Sequence, residues 1–211
     1  MTHNKHLIRL GGFILLLLLL GTGITTLGFR MAKNQLEHDF SQVEQQRIAA
    51  SLARSAQVHF KTEIQEWKDI LLRGENPADF AHYLAAMRRR GEQVEQLLGQ
   101  LQGNAVAQSL QARHHALANT YQRALAGSNS LPLAKAIGID KDLRGIDRSL
   151  ASDIDTLVAQ LEDTAAAERA RGSATAEQRV NQLALLVYAE MGISMLAVLY
   201  LLWLVTRRRA P

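Results

Sequence analysis

Apolar side chains recur in the middle of the chain with the alternating four- and three-residue spacing of a helix that packs against other helices. The residues before one such run predict where its helix starts, with Asn76 as the N-cap and Pro77 as the first helical residue. Gly103 predicts where it ends. The apolar or small positions of this helix are Phe80, Leu84, Met87, Gly91, Val94, Leu98 and Leu101.

Three further segments show related spacing and complete the predicted fold. The first helix ends at Gly74, and it is expected to continue from an apolar segment upstream because no glycine or proline lies between Arg30 and Arg73. The third ends at the turn residues "AGSNSLP", and the fourth runs into a second apolar segment. We predict an all-α fold, an antiparallel up-down four-helix bundle whose first and fourth helices are continuous with two transmembrane helices. The spaced positions are Phe60, Ile64, Trp67 and Leu71 in the first helix; Val106, Leu110, Leu117, Tyr121 and Leu125 in the third; and Ile146, Leu150, Ile154, Leu157, Leu161 and Thr164 in the fourth.

Two apolar segments, residues 10–29 and 183–206, are each long enough to cross a hydrocarbon core of ~30 Å. The first carries no charge, and the second is interrupted only by Glu190. We expect the first to be an uncleaved anchor rather than a cleaved signal peptide, because its apolar run is longer than a usual signal sequence and lacks an Ala-x-Ala site. Glu190 is expected to reach the membrane interface, with a proton relay as the alternative.

Positive charge is concentrated at the two ends of the chain. Lys5 and Arg9 precede the first apolar segment and three arginines follow the second, so the positive-inside rule predicts that both termini are cytoplasmic. The stretch between the segments is then periplasmic or extracellular. The predicted divisions are a cytoplasmic N-terminus (1–9), a first span (10–29), an external bundle (30–182), a second span (183–206) and a cytoplasmic tail (207–211).

The remaining composition narrows the class of protein. Residues 30–182 carry as many acidic as basic side chains, whereas a nucleic-acid-binding domain concentrates positive charge, so no nucleic-acid partner is expected. The chain has no cysteine, which excludes disulfides, thiolate metal sites and a cysteine nucleophile. No nucleophile-elbow, phosphate-loop or zinc-protease motif occurs in the sequence. We therefore expect neither an enzyme nor a cofactor.

Two clusters have both a functional and a structural interpretation. The histidines at 114–115, with His59 and His82, invite a metal site, but no His-x3-His spacing occurs and His59 is expected to contact Glu63 one turn away. No metal site is therefore predicted. The three arginines at 88–90 are expected to be solvated, with contact to an acidic partner or to lipid headgroups as the alternative.

Arginines are expected to gather at the end of the bundle farthest from the membrane. From the helix lengths, the turn at Gly74 and the loop 127–146 meet at this tip. Arginine binds carboxylates or phosphates through two parallel hydrogen bonds, so the tip is a candidate site for a small anionic ligand. The alternative is structural, with Arg73 paired to Asp147 or capping a helix carbonyl. The candidate ligand-binding residues are Arg73, Arg144, Asp147, Arg148, Trp67 and Tyr83, with Asp140 nearby.

Two motifs around this tip resemble a known family. The stretches "FKTEIQEWKDILLRGENPADFAHY" (Phe60 to Tyr83) and "LRGIDRSLASDID" (Leu143 to Asp155) are similar to the periplasmic sensor domain of a group of bacterial methyl-accepting chemotaxis receptors. Members show an F-K-x-x-x-Q-E-W-K-x-x-L-L-R-G run in the first helix and a G-I-D-R run where the fourth opens. The resemblance covers the chain from the first span to the second.

The resemblance implies a four-helix sensor bundle, dimeric in the bacterial inner membrane and with its bundle in the periplasm. It implies that the bundle binds a small ligand or reports a cell state, and that a small shift of the last helix passes into the second span. Chemoreceptors continue into a HAMP linker and a cytoplasmic coiled coil that contacts a histidine kinase. Only five residues follow Thr206 here, so kinase control is not implied.

Two alternatives stay open beside an autonomous sensor. One is an interaction protein that associates with a full-length chemoreceptor or sensor kinase and modulates it, and the other is a truncated receptor. The first span offers small residues for close contact with another helix. These residues are Gly21, Thr22, Gly23, Thr25 and Thr26.

Overall fold

The computed structural model describes residues 2–207 and consists, over that range, of five α-helices without a β-strand. This confirms the all-α class, while the antiparallel four-helix bundle with two transmembrane helices stays a prediction. The chain divides into two compact units: a terminal unit, Met1–Gln42 with Arg169–Pro211, and a central unit, Val43–Glu168. The helices are α1 (Thr2–Arg73), α2 (Pro77–Gln100), α3 (Ala105–Ala124), α4 (Leu133–Leu143) and α5 (Arg148–Arg207).

The central unit is built around apolar side chains that all five helices contribute. The stripe predicted for α2 is confirmed, because six of its seven positions are buried and Leu84 packs, partly buried, against the core. Two positions predicted for the fourth helix are wrong. Ile146 is 39% exposed because α5 begins only at Arg148, which leaves Ile146 in the preceding turn, and Thr164 is also exposed.

The turn between α1 and α2 has the chemistry that its sequence predicts. The Gly74 amide donates to the carbonyl of Ile70 over 2.9 Å, and a Cβ at position 74 would lie only 2.4 Å from that oxygen. The side chain of Asn76 then accepts a hydrogen bond from the Ala78 amide at 2.8 Å, as an N-cap does. Gly103, with φ at +81°, lies in the turn after α2, which confirms the predicted end of that helix.

Helix α4 was not anticipated, because the sequence indicated a loop over residues 127–146. It is only 11 residues long and buries a single side chain, that of Ala136, so it shows too little of the helical period to stand out. The residue before its N-cap, Leu131, is buried, and its amide donates to the carbonyl of Gly74 at 2.6 Å. The α3–α4 connection is therefore tied to the α1–α2 turn.

The terminal unit pairs the first part of α1 with the last part of α5. The carboxylate of Glu190 accepts hydrogen bonds from the hydroxyls of Thr22 (3.0 Å) and Thr25 (2.5 Å), and Arg179 donates to Asp39 over 2.8 Å. These contacts leave both expectations for Glu190, the membrane interface and the proton relay, as predictions.

One helix among the described residues, α5, is long and apolar enough over Arg148–Tyr200 to cross a membrane. The predicted first span includes residues whose side chains lie outside the description. The side chains of Lys5 and Arg9 also lie outside it. Arg208 and Arg209 of the predicted cytoplasmic tail also lie outside the described residues. The two-span topology thus stays a prediction.

Candidate functional site

Arg73 ends α1 and is held by two neighbours. Its Nη1 donates to the hydroxyl of Tyr83 on α2 over 2.8 Å, and its guanidinium carbon lies 5.8 Å from the centre of the same ring. On its own helix, Nε lies 3.7 Å from Asp69. The structure therefore brings two predicted site residues, Arg73 and Tyr83, into contact. The alternative pairing of Arg73 with Asp147 does not occur.

Arg144 and Arg148 flank a tight turn between α4 and α5. Arg144 pairs with Asp140 one turn earlier on α4, through Nε at 3.1 Å and through Nη2. Gly145 follows with φ at +80°, and the Nε of Arg148 lies 3.1 Å from where a Cβ at 145 would be. Arg148 thus folds back over the turn. Each of the three predicted arginines lies against its own local neighbours.

Trp67 belongs to the core and not to an open surface. It is 5% exposed, and its ring stacks on that of Tyr121 from α3 with centres 4.1 Å apart and an interplanar angle of 16°. Burial raises the pKa of Tyr121 well above its usual value, and the carboxylates of Asp147 and then Glu63 raise it further. Asp147 itself lies in the turn between α4 and α5, one residue before Arg148.

A groove of about 380 Å³ runs between the end of α1 and α4, and sequence reasoning missed it because α4 was not predicted. Leucine, isoleucine and alanine side chains form most of it, while Lys68, Asp140 and Arg144 supply charges. Its volume falls in the range of small-molecule sites. The spacing Leu133, Ala136, Ile137, Asp140 is the signal that was available. The lining residues are Lys68, Leu71, Leu72, Leu133, Ala136, Ile137, Asp140 and Arg144.

The groove, termed here the α1–α4 groove, has the chemistry to hold a small organic anion. Its apolar residues can cover the hydrocarbon part of such a ligand, and the ammonium of Lys68 and the guanidinium of Arg144 can bind a carboxylate. Asp140 already engages Arg144, so a ligand would share that guanidinium or displace the carboxylate. Of the six predicted site residues, Arg144 alone lines this groove.

The histidines do not converge. The prediction that His59 contacts Glu63 is wrong: Arg90 Nη1 lies 3.2 Å from His59 Nδ1, and Glu63 instead contacts His114. Partial burial, and then the charge of Arg90, lower the pKa of His59 below its usual 6.5. Arg90 is half-buried by this contact, whereas the two arginines before it are exposed as expected.

His82 stands apart, exposed against the ring of Tyr83. Within residues 2–207, no group of three or more His, Asp or Glu side chains is arranged to hold a metal ion.

Comparison with known proteins adds a relative to this description. The helices and the groove define the class as an all-α protein with a groove of small-molecule size. The methyl-accepting chemotaxis protein CtpH of Pseudomonas aeruginosa is a distant homologue, 29% identical over 172 residues. The match covers 75% of this chain and 28% of the relative, so the chain spans little more than a quarter of the relative's length. No protein-family model and no solved structure matches the chain. The homology supports a chemoreceptor-related role.

Proposed function

We propose that the chain is a membrane-anchored sensor module of the chemoreceptor type. Its central unit binds a small ligand or reports a cell state, and it relays the signal through displacement of a helix. The observation that carries this proposal is the homology to a methyl-accepting chemotaxis protein over three quarters of the chain. In this proposal the central unit lies in the periplasm of a bacterium, two spans anchor it in the inner membrane, and the active form is a homodimer.

The ligand site of this proposal is the α1–α4 groove together with the arginine contacts beside it. The groove joins the end of α1 to α4, and α4 is followed after a four-residue turn by α5. A ligand that engages Arg144 changes its pairing with Asp140 and so pulls on the turn from which α5 starts. α5 is a single helix from Arg148 to Arg207. Axial shifts of ~1–2 Å are enough for signalling along such helices.

Ligand binding is tested on the full chain in lipid nanodiscs by measuring the melting temperature against a panel of organic acids, amino acids and inorganic anions. We expect at least one organic anion to raise the melting temperature in a saturable way. The variants Arg144→Ala and Lys68→Ala should remove the response, whereas Arg89→Ala, which removes an exposed arginine on α2, should keep it. A panel without any saturable response, or a response that both groove variants retain, contradicts a ligand site in the groove.

A second candidate function is favoured by the surface of α1 in the terminal unit. A Cβ at Gly23 would meet nothing within 4 Å, so this part of α1 is open to close approach by another helix. In this version the protein associates with a full-length chemoreceptor or sensor kinase and modulates it. Cross-linking in native membranes from a photoreactive residue at position 23 separates the two versions, because an autonomous sensor recovers only copies of itself.

A further inference from the structure

The core of the central unit contains an acid–imidazole pair that the α1–α4 groove does not use. The side chains of Glu63 on α1 and His114 on α3 are 3% and 1% exposed, and Glu63 Oε2 lies 2.7 Å from His114 Nε2. A carboxylate is kept in a protein core only at a high free-energy cost unless it is paired and hydrogen-bonded. A neutral imidazole supplies a hydrogen bond but no compensating charge.

The other ring nitrogen of His114 lacks a partner. In a neutral imidazole one nitrogen donates and the other accepts, so donation from Nε2 to Glu63 leaves Nδ1 as an acceptor. This Nδ1 is the single buried side-chain polar atom without a hydrogen bond in the part of the chain that the structure describes. Glu95 Oε1 lies 3.5 Å from this Nδ1, and this carboxylate oxygen is also an acceptor. A group with several N–H donors beside these two atoms would satisfy both.

A groove opens at this point between α1, α2 and α3, and we call it the Glu63–His114 groove. Its volume is about 180 Å³, room for roughly six waters at ~30 Å³ each or for one small molecule. Position 91 on α2 is a glycine, and a Cβ there would lie 3.0 Å from Glu63 Oε1. The missing side chain therefore keeps space open beside the free oxygen of the buried carboxylate.

The charges around the groove select a cation. Three carboxylates line it, from Glu63, Glu92 and Glu95, against one guanidinium, that of Arg88. The carboxylate of Glu95 is positioned by His115, whose Nδ1 lies 3.0 Å from its Oε1. With His114 in the form that donates from Nε2, the buried end presents three acceptors: the free oxygen of Glu63, the Nδ1 of His114 and the carboxylate of Glu95. An ammonium head has three N–H donors and a positive charge.

We propose that the Glu63–His114 groove binds a small primary ammonium ion. The ammonium donates to Glu95, to Nδ1 of His114 and to the free oxygen of Glu63, and its charge compensates the buried carboxylate. The site is separate from the α1–α4 groove in residues and in charge. Binding of an ammonium ion here therefore does not depend on whether the α1–α4 groove binds an organic anion.

The first test measures the melting temperature of the full chain in lipid nanodiscs with methylammonium chloride, tetramethylammonium chloride or sodium chloride. Methylammonium carries the N–H donors that the site requires, while tetramethylammonium has the same charge and no donor. We expect a saturable rise in melting temperature with methylammonium alone. Equal responses to the three salts overturn the proposal.

The second test locates the site with variants chosen to keep the fold. Glu95 is partly exposed, so Glu95→Gln removes a charged acceptor without emptying the core, and we expect the dissociation constant to rise about tenfold or more. Gly91→Ala places a methyl group beside Glu63 and should also raise the dissociation constant. Glu75→Gln, at an exposed position in the α1–α2 turn, should bind as the parent does. Unchanged affinity in both groove variants rules out this site.

Discussion

The buried pair of Glu63 and His114 allows a quantitative prediction about stability. The variant His114→Leu replaces the imidazole with an apolar side chain of similar size at a position that is 1% exposed. It leaves the Glu63 carboxylate in the core without its partner at 2.7 Å. Removing one member of a buried, hydrogen-bonded pair costs about 3–5 kcal/mol, because the buried carboxylate is left without its hydrogen-bond donor. For a chain of this length, that loss corresponds to a fall in melting temperature of roughly 10 °C.

The double variant separates the cost of the orphaned carboxylate from the cost of altered packing. Replacing both members with apolar residues of similar shape, as in Glu63→Met with His114→Leu, removes the unpaired charge and should recover most of the stability. Far-UV circular dichroism follows the unfolding of the full chain in detergent, by heat and by urea. Arg89→Ala is the exposed control and should change the stability by at most about 0.5 kcal/mol.

Two results would refute this reasoning. In the first, His114→Leu is no less stable than Arg89→Ala. In the second, the loss in the double variant equals the sum of the losses in the two single variants, which shows that the two side chains do not interact. Either result removes the physical basis for a costly buried carboxylate at Glu63.

Three further predictions concern other parts of the chain. Asn76→Ala should lower the stability by about 1 kcal/mol in urea unfolding, because the N-cap of α2 is lost. Partial burial acts to raise the pKa of Asp155, but hydrogen bonds from Lys61 and Gln57 outweigh it and lower that pKa below its usual 3.8. The stability that Asp155 contributes is therefore present above pH 3.8 and is lost as the pH falls through the lowered pKa. In Asp155→Asn, the free energy of unfolding should fall less steeply as the pH is lowered through this range, as urea unfolding at a series of pH values would measure. Glu190→Leu should be less stable than Glu190→Gln by at most about 0.6 kcal/mol for each of Thr22 and Thr25, as thermal unfolding would measure, because each hydroxyl can donate instead to the carbonyl four residues earlier.

The parts of the fold that the sequence predicted are those with strong local signals. Asn76 and Pro77 specify the start of α2 through capping and backbone geometry, and the long apolar repeat that follows specifies its buried side. Helix α4 lacks both signals. Its N-cap position is Pro132, which makes no side-chain cap, and only Ala136 is buried, so the short spacing over Leu133–Asp140 was too weak a signal to predict α4 and its groove.

The candidate site was harder to predict because arginines are satisfied by near neighbours. The sequence suggested that Arg73 and Arg144 share one cluster, but each lies against a carboxylate four residues earlier on its own helix. Such contacts need no long-range folding to form. The pairing of Glu63 with His114 was also missed, although both residues lie on apolar stripes. His114 is four residues after Leu110 and three before Leu117, and Glu63 is three residues after Phe60 and four before Trp67. The spacing marks each position as buried but does not show that the two side chains meet.

A chimeric receptor tests whether this chain senses a ligand and relays the signal through its helices. Residues 1–206 are joined to the part of the CtpH relative that follows the aligned region, and the methylation of the chimera is measured in cells exposed to each compound that stabilises the isolated chain. We expect these compounds to change the methylation and Arg144→Ala to remove the change. Compounds that stabilise the chain but leave the methylation of the chimera unaltered would contradict this expectation.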